Sequence, residues 1–319
     1  MFLVVTNKRD LTTDLVILEL QRRKLPYIRL NTEDFAHAVV RWQAGDAQGW
    51  QVDLPGVSFV AGEVLAAYFR RPEPVVPSEA VSPDSRLYCA MEWHAALESL
   101  YWSLGNRWLN APHSIALAEN KPRQLGAAIL CGMKVPPTLV TNDPKVAAAF
   151  CVEQEQVVGK PLRQALTQVD GRDSVVFTSR VGVDLVHDVA ALRAAPVILQ
   201  QEIRKAYDVR VTVVGPDVFA ATIDSQTQAD TQVDWRRSSR SDLAHTAIEL
   251  PEFLRQQCIE LTKSLGLRFG AIDFVLDEGG EYWFLEINPN GQWGWVENRT
   301  RQPIAASIVN ELERIGAAS

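Results

Sequence analysis

The sequence predicts an α/β protein organised in lobes that also combine helices with antiparallel strands. Three observations predict this class. The chain opens with a strand, a helix and a second strand, its middle alternates helices with strands, and apolar runs separated by turn residues follow residue 196. Of its 319 residues, 47% are hydrophobic and 22% charged, which is the composition of a globular protein with about two domains of roughly 150 residues.

Residues 1–118 are predicted to form an N-terminal domain. FLVVT at 2–6 and YIRL at 27–30 have the apolar pattern of strands, and the helix between them starts after Asp10 and stops before Pro26. This order is typical of a doubly wound layer, but the first turn, TNKRD, contains no glycine, which disfavours a nicotinamide-dependent dehydrogenase. The other elements predicted here are a hairpin, a strand and a helix, at residues 40–54, 64–72 and 87–104.

Residues 119–196 are predicted to form a central lobe, and residues 197–319 a C-terminal lobe. The central lobe alternates helix, strand, helix and strand in KPRQLGAAILCG, VPPTLVTN, DPKVAAAFCVEQ and VVGKPL. After it, VILQQEI, VRVTVVG and VFAATID predict consecutive antiparallel strands, followed by a helix from Glu252 to Leu265 and a last hairpin, GAIDFVLDEGGEYWFLEINPN. The polar segment 225–242 is predicted to be a mobile loop.

Charge and cysteine spacing exclude several classes of protein. A net charge of −7 disfavours nucleic acid as a main partner, and the absence of an apolar run of 18 residues disfavours a membrane span. The four cysteines include no C-x-x-C pair, and the N-terminus lacks a signal-peptide pattern, so reduced thiols in a cytoplasmic protein are expected. The sequence leaves the oligomeric state open, a homodimer included.

The last hairpin carries the strongest chemical signal. Its DEGG turn predicts a register in which Asp273 lies opposite Phe284, and the two-residue period of strands then puts Asp273, Glu286 and Asn288 on one face. Two carboxylates and an amide are suitable oxygen ligands for Mg²⁺ that carries a nucleotide. The alternative is a solvated polar face. The strongly apolar neighbours on both strands favour the cation site, because a carboxylate among them is costly without a positive charge.

LEINPNG after the GAIDF strand resembles the metal-binding end of the ATP-grasp ligases. The resemblance implies an ATP-grasp fold preceded by a Rossmann-like pre-ATP-grasp domain, with ATP and Mg²⁺ as cofactors and Asp273, Glu286 and Asn288 as metal ligands. VVGKP and ENKP then place Lys160 and Lys121 at the nucleotide phosphates. The segment PLRQALTQVDGRDS has a single glycine, Gly171, where many such ligases have a glycine-rich phosphate flap.

Two further motifs complete the implied site. LQQEI resembles the inter-lobe hinge that meets the adenine, and KAYDVRVTVVG resembles the Asp-x-Arg strand that points Arg210 at the γ-phosphate or acyl phosphate. Arg210 and Lys160 would therefore stabilise the charge that develops during transfer. The residues implied to contact the nucleotide are Lys121, Lys160, Gln201, Glu202, Ile203, Lys205 and Asp208.

The whole chain resembles, more narrowly, the microviridin-type or graspetide ligases that crosslink ribosomal peptides. Segments carrying this resemblance include FRRP at 69–72, TLVTND at 138–143 and the DWR triplet at 234–236. The resemblance implies a precursor peptide as partner, whose Asp or Glu is activated by ATP and attacked by a Ser, Thr or Lys side chain. Arg236 and Asp234, together with Arg210, would hold the acidic side chain, with Arg236 also contributing to catalysis.

Other interpretations of these residues remain open. Lys160 is also compatible with the end of an exposed strand, Arg210 with a salt bridge to Asp208, and the DWRR segment with a solvated turn. Two other functions remain open as well: a carboxylate–amine ligase that acts on a protein tail or small metabolite, and a nucleotide-binding scaffold without activity. The histidines have no ligand spacing, and G-x-S-x-G is absent, so zinc or serine chemistry is not indicated.

Overall fold

A computed structural model gives the architecture of the chain. It describes residues 1–163, 166–169, 172–182, 188–228, 231–237 and 243–318, with the backbone alone for 166–169, 172–175 and 237. The strands are β1 (Phe2–Thr6), β2 (Tyr27–Asn31), β3 (Val39–Arg41), β4 (Gln51–Leu54), β5 (Val57–Val60), β6 (Ala66–Phe69), β7 (Thr138–Thr141), β8 (Val157–Lys160), β9 (Leu166–Val169), β10 (Arg172–Val175), β11 (Ser179–Arg180), β12 (Val197–Gln201), β13 (Lys205–Val214), β14 (Asp217–Ile223), β15 (His245–Ile248), β16 (Phe269–Asp277) and β17 (Tyr282–Asn288).

The helices lie between these strands and at the C-terminus. They are α1 (Leu11–Arg22), α2 (Pro83–Ser103), α3 (Pro112–Ala118), α4 (Lys121–Leu130), α5 (Pro144–Gln154), α6 (Val189–Ala194), α7 (Glu252–Ser264), α8 (Gly294–Thr300) and α9 (Ile304–Ala317). In the part of the chain that is described, no helix is both long and apolar enough to cross a membrane.

A parallel sheet in the order β2-β1-β6 forms the N-terminal region. The predicted β-α-β opening is confirmed, with α1 as the crossover helix. The side chain of Asp10 caps α1 by accepting a hydrogen bond from the backbone N of Thr12 at 3.0 Å. The predicted hairpin after β2 is confirmed as well, and a third strand, β5, joins it. The further assignment of this region as Rossmann-like stays a prediction.

Two larger sheets lie beyond this region, in the orders β11-β8-β12-β7 and β15-β14-β13-β16-β17. The predicted antiparallel pairing of β13 with β14 is confirmed. The expected pairing of VILQQEI with the next strand is wrong, because β12 pairs with β7 and β8 of the central lobe. Apolar runs alone do not distinguish partner strands. The boundaries at residues 118 and 196 stay predictions, and the pairing of β12 favours a second boundary after Gln201.

One hydrophobic core joins the N-terminal sheet to the C-terminal lobe. It contains residues of β1 and α1 together with residues of β16, α8 and α9. Trp293 is fully buried in it, and its indole Nε1 donates to the hydroxyl of Tyr68 at 3.3 Å. This packing holds the loop after β17 against the carboxyl ends of β1 and β6.

Candidate active site

The hairpin of β16 and β17 carries the three predicted metal ligands on one face, but through a different register from the predicted one. Leu276 pairs with Tyr282 and Phe274 with Phe284, so the predicted pairing of Asp273 with Phe284 is wrong. The register then shifts, and Asp273 pairs directly with Glu286.

A β-bulge at Leu285 produces this arrangement. If the register near the turn continued, Asp273 would pair with Leu285. Glu286 would then lie one residue out of step and point to the face opposite Asp273. Because the bulge adds Leu285 to β17 at this point, Asp273 pairs with Glu286, and both side chains project from the same face. Asn288, two residues after Glu286, shares this face.

Arginines bind both carboxylates. Arg210 Nη1 donates to Asp273 Oδ1 at 2.8 Å, and Arg236 Nη1 donates to Glu286 Oε1 at 3.3 Å. Lys121 Nζ lies 3.6 Å from Glu286 Oε2. The proposed salt bridge of Arg210 with Asp208 is therefore not formed, since Arg210 binds the carboxylate on the neighbouring strand β16.

Helix α4 brings Lys121 to Glu286. Asn120 caps the helix by accepting from the backbone N of Arg123 at 3.0 Å, which places Lys121 in the first turn. One turn along, Gln124 binds both backbone groups of Ile287, at 2.8 Å to the carbonyl oxygen and 3.1 Å to the N–H. Since Ile287 directly follows Glu286, these bonds fix the distance between helix and hairpin.

Lys160 at the end of β8 is held by neutral groups. Its Nζ donates to Gln200 Oε1 at 2.6 Å, and Gln200 Nε2 donates to Thr138 Oγ1 at 2.8 Å. Burial lowers the pKa of Lys160 to about 8, with Lys121 and Arg236 adding to this effect and Glu286 opposing it. Lys160 therefore lies in a desolvated position where an additional anion would stabilise its charge.

The predicted hinge lies between the two larger sheets. Gln201 ends β12, and Glu202 and Ile203 lead towards β13, all three lining the same cleft as Lys160. The carboxylate of Glu202 is bound by Arg180 at 2.7 and 2.8 Å, so the structure does not leave its side chain free for the adenine. The backbone of this segment remains the proposed adenine contact.

Lys205 and Asp208 form a buried pair beside the hinge. Lys205 Nζ lies 2.9 and 2.7 Å from the two oxygens of Asp208, which also accepts a hydrogen bond from the hydroxyl of Ser225. Burial raises the pKa of Asp208, although Lys205 and Ser225 lower it. Both residues line the cleft as predicted, but the carboxylate already has a cation partner.

The DWR triplet reaches the acidic hairpin. Arg236 Nε and Nη2 bind the two oxygens of Asp234 at 2.8 and 3.0 Å, while its Nη1 reaches Glu286. Asp234 is buried and also accepts from the backbone N of Thr178 at 3.3 Å. This triplet lies in the segment predicted to be a mobile loop, of which residues 229–230 and 238–242 are outside the described residues. Gly171 of the predicted flap is likewise outside them.

The donor atoms of the site fit a bound cation. Burial raises the pKa of Asp273, which the charge of Glu286 also raises, whereas Arg210 lowers it. Burial likewise favours the neutral form of Glu286, but Arg236, Lys121 and Lys160 hold its pKa below the usual range. Within the described residues no group of three His, Cys, Asp or Glu side chains suits a metal. The predicted set of two carboxylates and one amide is a set that Mg²⁺ accepts when phosphates and water complete its shell.

Asn288 and Arg210 complete the fit. Asn288 Oδ1 accepts a hydrogen bond from the backbone N of Asn290 at 2.9 Å, which orients the amide oxygen and leaves it a second lone pair. Arg210 Nη2 donates to the carbonyl of Gln292 at 3.0 Å, while its buried Nε has no partner among the described residues. Sequence patterns did not indicate Arg180, Gln200 or Gln292, because each contacts the site across a long separation in sequence.

The fold and the cleft define a class of protein. A family profile described as the RimK-like ATP-grasp domain matches residues 118–312, and the chain belongs to this family. Its antiparallel five-stranded sheet, four-stranded central sheet and intervening cleft form the ATP-grasp fold.

Solved structures similar to the whole chain are more specific. A RiPP-associated ATP-grasp ligase of Chryseobacterium gregarium, in complex with ADP and a leader and core peptide, is 27% identical, with a TM-score of 0.90 and coverage of 98% of this chain and 96% of that chain. The macrocyclase MdnC of Microcystis aeruginosa MRC, bound with the precursor peptide MdnA, is 28% identical, with a TM-score of 0.86 and coverage of 98% and 99%.

A curated relative is similar over a shorter range. Human N-acetylaspartylglutamate synthase A is 25% identical over 220 residues, which is 67% of this chain. The chain spans about half the length of this relative, since the match covers 52% of it.

Proposed function

We propose that this chain is an ATP-dependent ligase that joins side chains within a ribosomally made precursor peptide. It activates Asp or Glu carboxylates as acyl phosphates, which Ser or Thr hydroxyls or a Lys amine attack, and it releases ADP and phosphate. The products are macrocyclic esters or amides. The observation that carries this proposal is that Lys121, Lys160 and Arg236 line one cleft with Asp273 and Glu286, and that Arg210 binds Asp273. The full-length similarity to two peptide-bound ligases supports it.

The cleft has two walls with different tasks: the acidic wall carries Asp273 and Glu286, and the basic wall carries Lys160 and Lys121. Bound ATP and Mg²⁺ would supply the phosphoryl group and a divalent charge, with Asp273, Glu286 and Asn288 holding the metal. Lys160 and Lys121 neutralise the phosphate oxygens, and the backbone of residues 201–203 receives the adenine. Lys160 suits this task because partial burial disfavours its charge until an anion binds.

Arg210 and Arg236 position the carboxylate of the peptide. The guanidinium of Arg210 binds one carboxylate of the protein and that of Arg236 binds two, and each keeps N–H donors for a further carboxylate. The peptide carboxylate attacks the γ-phosphorus, and the bond to ADP breaks. The hydroxyl or amine of the peptide then attacks the activated carbonyl, phosphate leaves, and the proton of the nucleophile passes to phosphate or solvent. Positive charge along this path offsets the approach of two anions.

The cellular setting follows from the same proposal. We propose a cytoplasmic site of action, which the four free thiols support because a reducing compartment preserves them. A homodimer stays a prediction from the sequence alone.

A carboxylate–amine ligase that acts on a small acidic metabolite is the second candidate. The similarity to N-acetylaspartylglutamate synthase A favours it. Such a ligase would use the same acidic hairpin and lysines. It would differ in the molecule that attacks the acyl phosphate.

One incubation tests both candidates. The protein is mixed with Mg-ATP and synthetic precursor peptides that carry Asp or Glu and Ser, Thr or Lys, and peptide mass and nucleotide products are followed together. We expect loss of one water per ring with one ADP released for each. Addition of an amino acid's mass would support the second candidate, and AMP in place of ADP would refute the acyl-phosphate mechanism.

A further inference from the structure

The carboxyl edge of the parallel sheet contacts the loop after β17, which Arg210 also contacts. Ligands of doubly wound sheets bind at this edge. Here β1 is followed by Asn7 and Arg9, and β6 by Arg70 and Arg71. None of these residues belongs to the nucleotide and metal site described above.

One buried side chain fixes the backbone at two arginines of this edge, Arg9 and Arg71. Asn7 is 7% exposed, its Nδ2 donates to the carbonyl of Arg71 at 2.6 Å, and its Oδ1 accepts from the backbone N of Arg9 at 2.8 Å. The carbonyl of Asn7 itself accepts from Arg29 Nη2 at 2.8 Å. Arg9 and Arg71 are therefore held next to each other although 62 positions separate them in the sequence printed above.

Arg71 has a backbone conformation that is unfavourable for its residue type. Its φ is +45°, in the left-handed region that costs a non-glycine residue about 1 kcal/mol or more. Such conformations persist where the surrounding structure imposes them, and they are concentrated at functional sites. Here Asn7 binds the carbonyl of Arg71, and the Arg71 side chain reaches the loop after β17.

That loop connects Arg71 to Arg210. Arg71 Nε donates to the carbonyl of Asn290 at 3.3 Å, and Arg210 Nη2 donates to the carbonyl of Gln292, two residues further along. The loop approaches β16 so closely that a Cβ on Gly291 would clash with the Cβ of Ala271, so only glycine fits. The guanidinium of Arg71 thus lies beside the position proposed for the reacting carboxylate.

The positive charge of this edge is only partly compensated. Arg70 is fully buried and binds Asp10 at 3.1 Å, and Lys8 binds Asp34. Arg9 and Arg71 are exposed, and within the described residues neither has a carboxylate partner. Although the Arg71 side chain reaches solvent, the protein packed around part of it and the charge of Arg70 lower its pKa, with Arg210 contributing and Asp10 opposing, so an anion here would relieve repulsion.

We infer that Arg9 and Arg71 form a second carboxylate subsite, which binds an acidic side chain of the peptide other than the one being activated. The planar guanidinium with parallel N–H donors suits a carboxylate. This inference rests on the proposed function, and it makes the preferred substrate an acidic peptide with at least two carboxylates. The second contact fixes the peptide so that one carboxylate is presented to Arg210.

Peptide binding tests the subsite separately from turnover. The probe is a fluorescently labelled synthetic peptide with two glutamates, compared by anisotropy with the two analogues in which one or the other glutamate is glutamine. We expect the wild type to bind the two-glutamate peptide about tenfold more tightly than the analogue that lacks the second carboxylate. Arg71→Met should reduce this ratio to about two or less, and Arg9→Met should reduce it in the same direction.

Lys24→Met is the matched control. Lys24 is also an exposed cation with positive φ, 58°, but it lies between α1 and β2, at the opposite edge of the same sheet. It should keep the wild-type ratio. Equal binding of all three peptides to the wild type, or an unchanged ratio in both arginine variants, would overturn the subsite. Arg9→Met keeps the test readable if Arg71→Met does not fold. Wild-type protein that binds with the expected ratio but releases no ADP would refute the proposed function alone.

Discussion

The two walls of the cleft achieve their charge in different ways. On the acidic wall, Asp273 and Glu286 are paired across adjacent strands, and both already have arginine partners. On the basic wall, Lys160 and Lys121 come from separate segments and donate to an amide and to the carbonyl of Pro161. The acidic wall is thus compensated within the protein, while Lys160 is held by neutral groups. The comparison teaches that the uncompensated charge for an incoming anion lies on the basic wall.

Removal of the Glu286 carboxylate should lower the activity most. In Glu286→Gln we expect ADP release to fall by about a thousandfold, because the proposed metal ligand is lost and Arg236 and Lys121 lose their shared anion. Release of ADP with peptide and Mg-ATP is the measurement. The control is Glu278→Gln, in the exposed turn of the same hairpin. Near-normal release from Glu286→Gln would show that the acidic wall does not take part in the reaction.

Removal of the basic-wall cation should have the next largest effect. Lys160→Met should lower kcat/KM for ATP by about a hundredfold, since one preorganised charge at the phosphates is lost. Thermal unfolding should show no loss of stability, because methionine carries no charge for burial to disfavour. Lys145→Met, at an exposed lysine in the first turn of α5, is the control. An unchanged kcat/KM in Lys160→Met would remove Lys160 from the site.

The pKa of Lys160 makes a sharper prediction for the same wall. The pKa of Lys160 is about 8 in the folded protein, below the ordinary value of 10.5, so folding disfavours its charge when no ligand is bound. This loss of folding free energy is complete below pH 8 and disappears as pH rises from 8 to 10.5. Phosphates favour the charged form. The affinity for ADP should therefore be highest below pH 8 and fall by about tenfold per pH unit above it.

Calorimetric titration of ADP between pH 7 and pH 9.5 measures this dependence. Lys160→Arg is the informative variant, because arginine stays charged over the whole range. Its affinity should change much less with pH than that of the wild type. Parallel pH profiles would assign the titration to a different group.

The hinge should show the smallest effect. The ion pair of Arg180 with Glu202 involves an arginine side chain that is 61% exposed, so it contributes at most about 1 kcal/mol. Glu202→Gln should weaken ADP binding by about threefold or less, as measured in the same titrations. A loss of a hundredfold would show that the carboxylate contacts the nucleotide after all.

The sequence predicts the parts of this site that depend on local patterns. Short motifs place Lys121 and Lys160 at ends of regular elements. The expectation that Asp273 and Glu286 share a face is met through the bulge at Leu285, which the two-residue period did not predict. The sequence does not predict the partner of β12, because any apolar strand of that length fits either sheet. The bond from Arg180 to Glu202 is equally invisible, since it joins strands whose relative position only the complete sheet determines.

Because of the bulge at Leu285, the faces of the sheet to which Asp273 and Glu286 point depend on whether the strand lengths change by an odd or an even number of residues. An odd number of residues added to or removed from one strand between the turn and Glu286 would turn one carboxylate into the apolar core, whereas an even number would return it to the cleft. Functional variation in this hairpin is therefore expected in steps of two residues. Relatives with one residue more or fewer in one strand of this hairpin should carry a second one-residue change on the same strand.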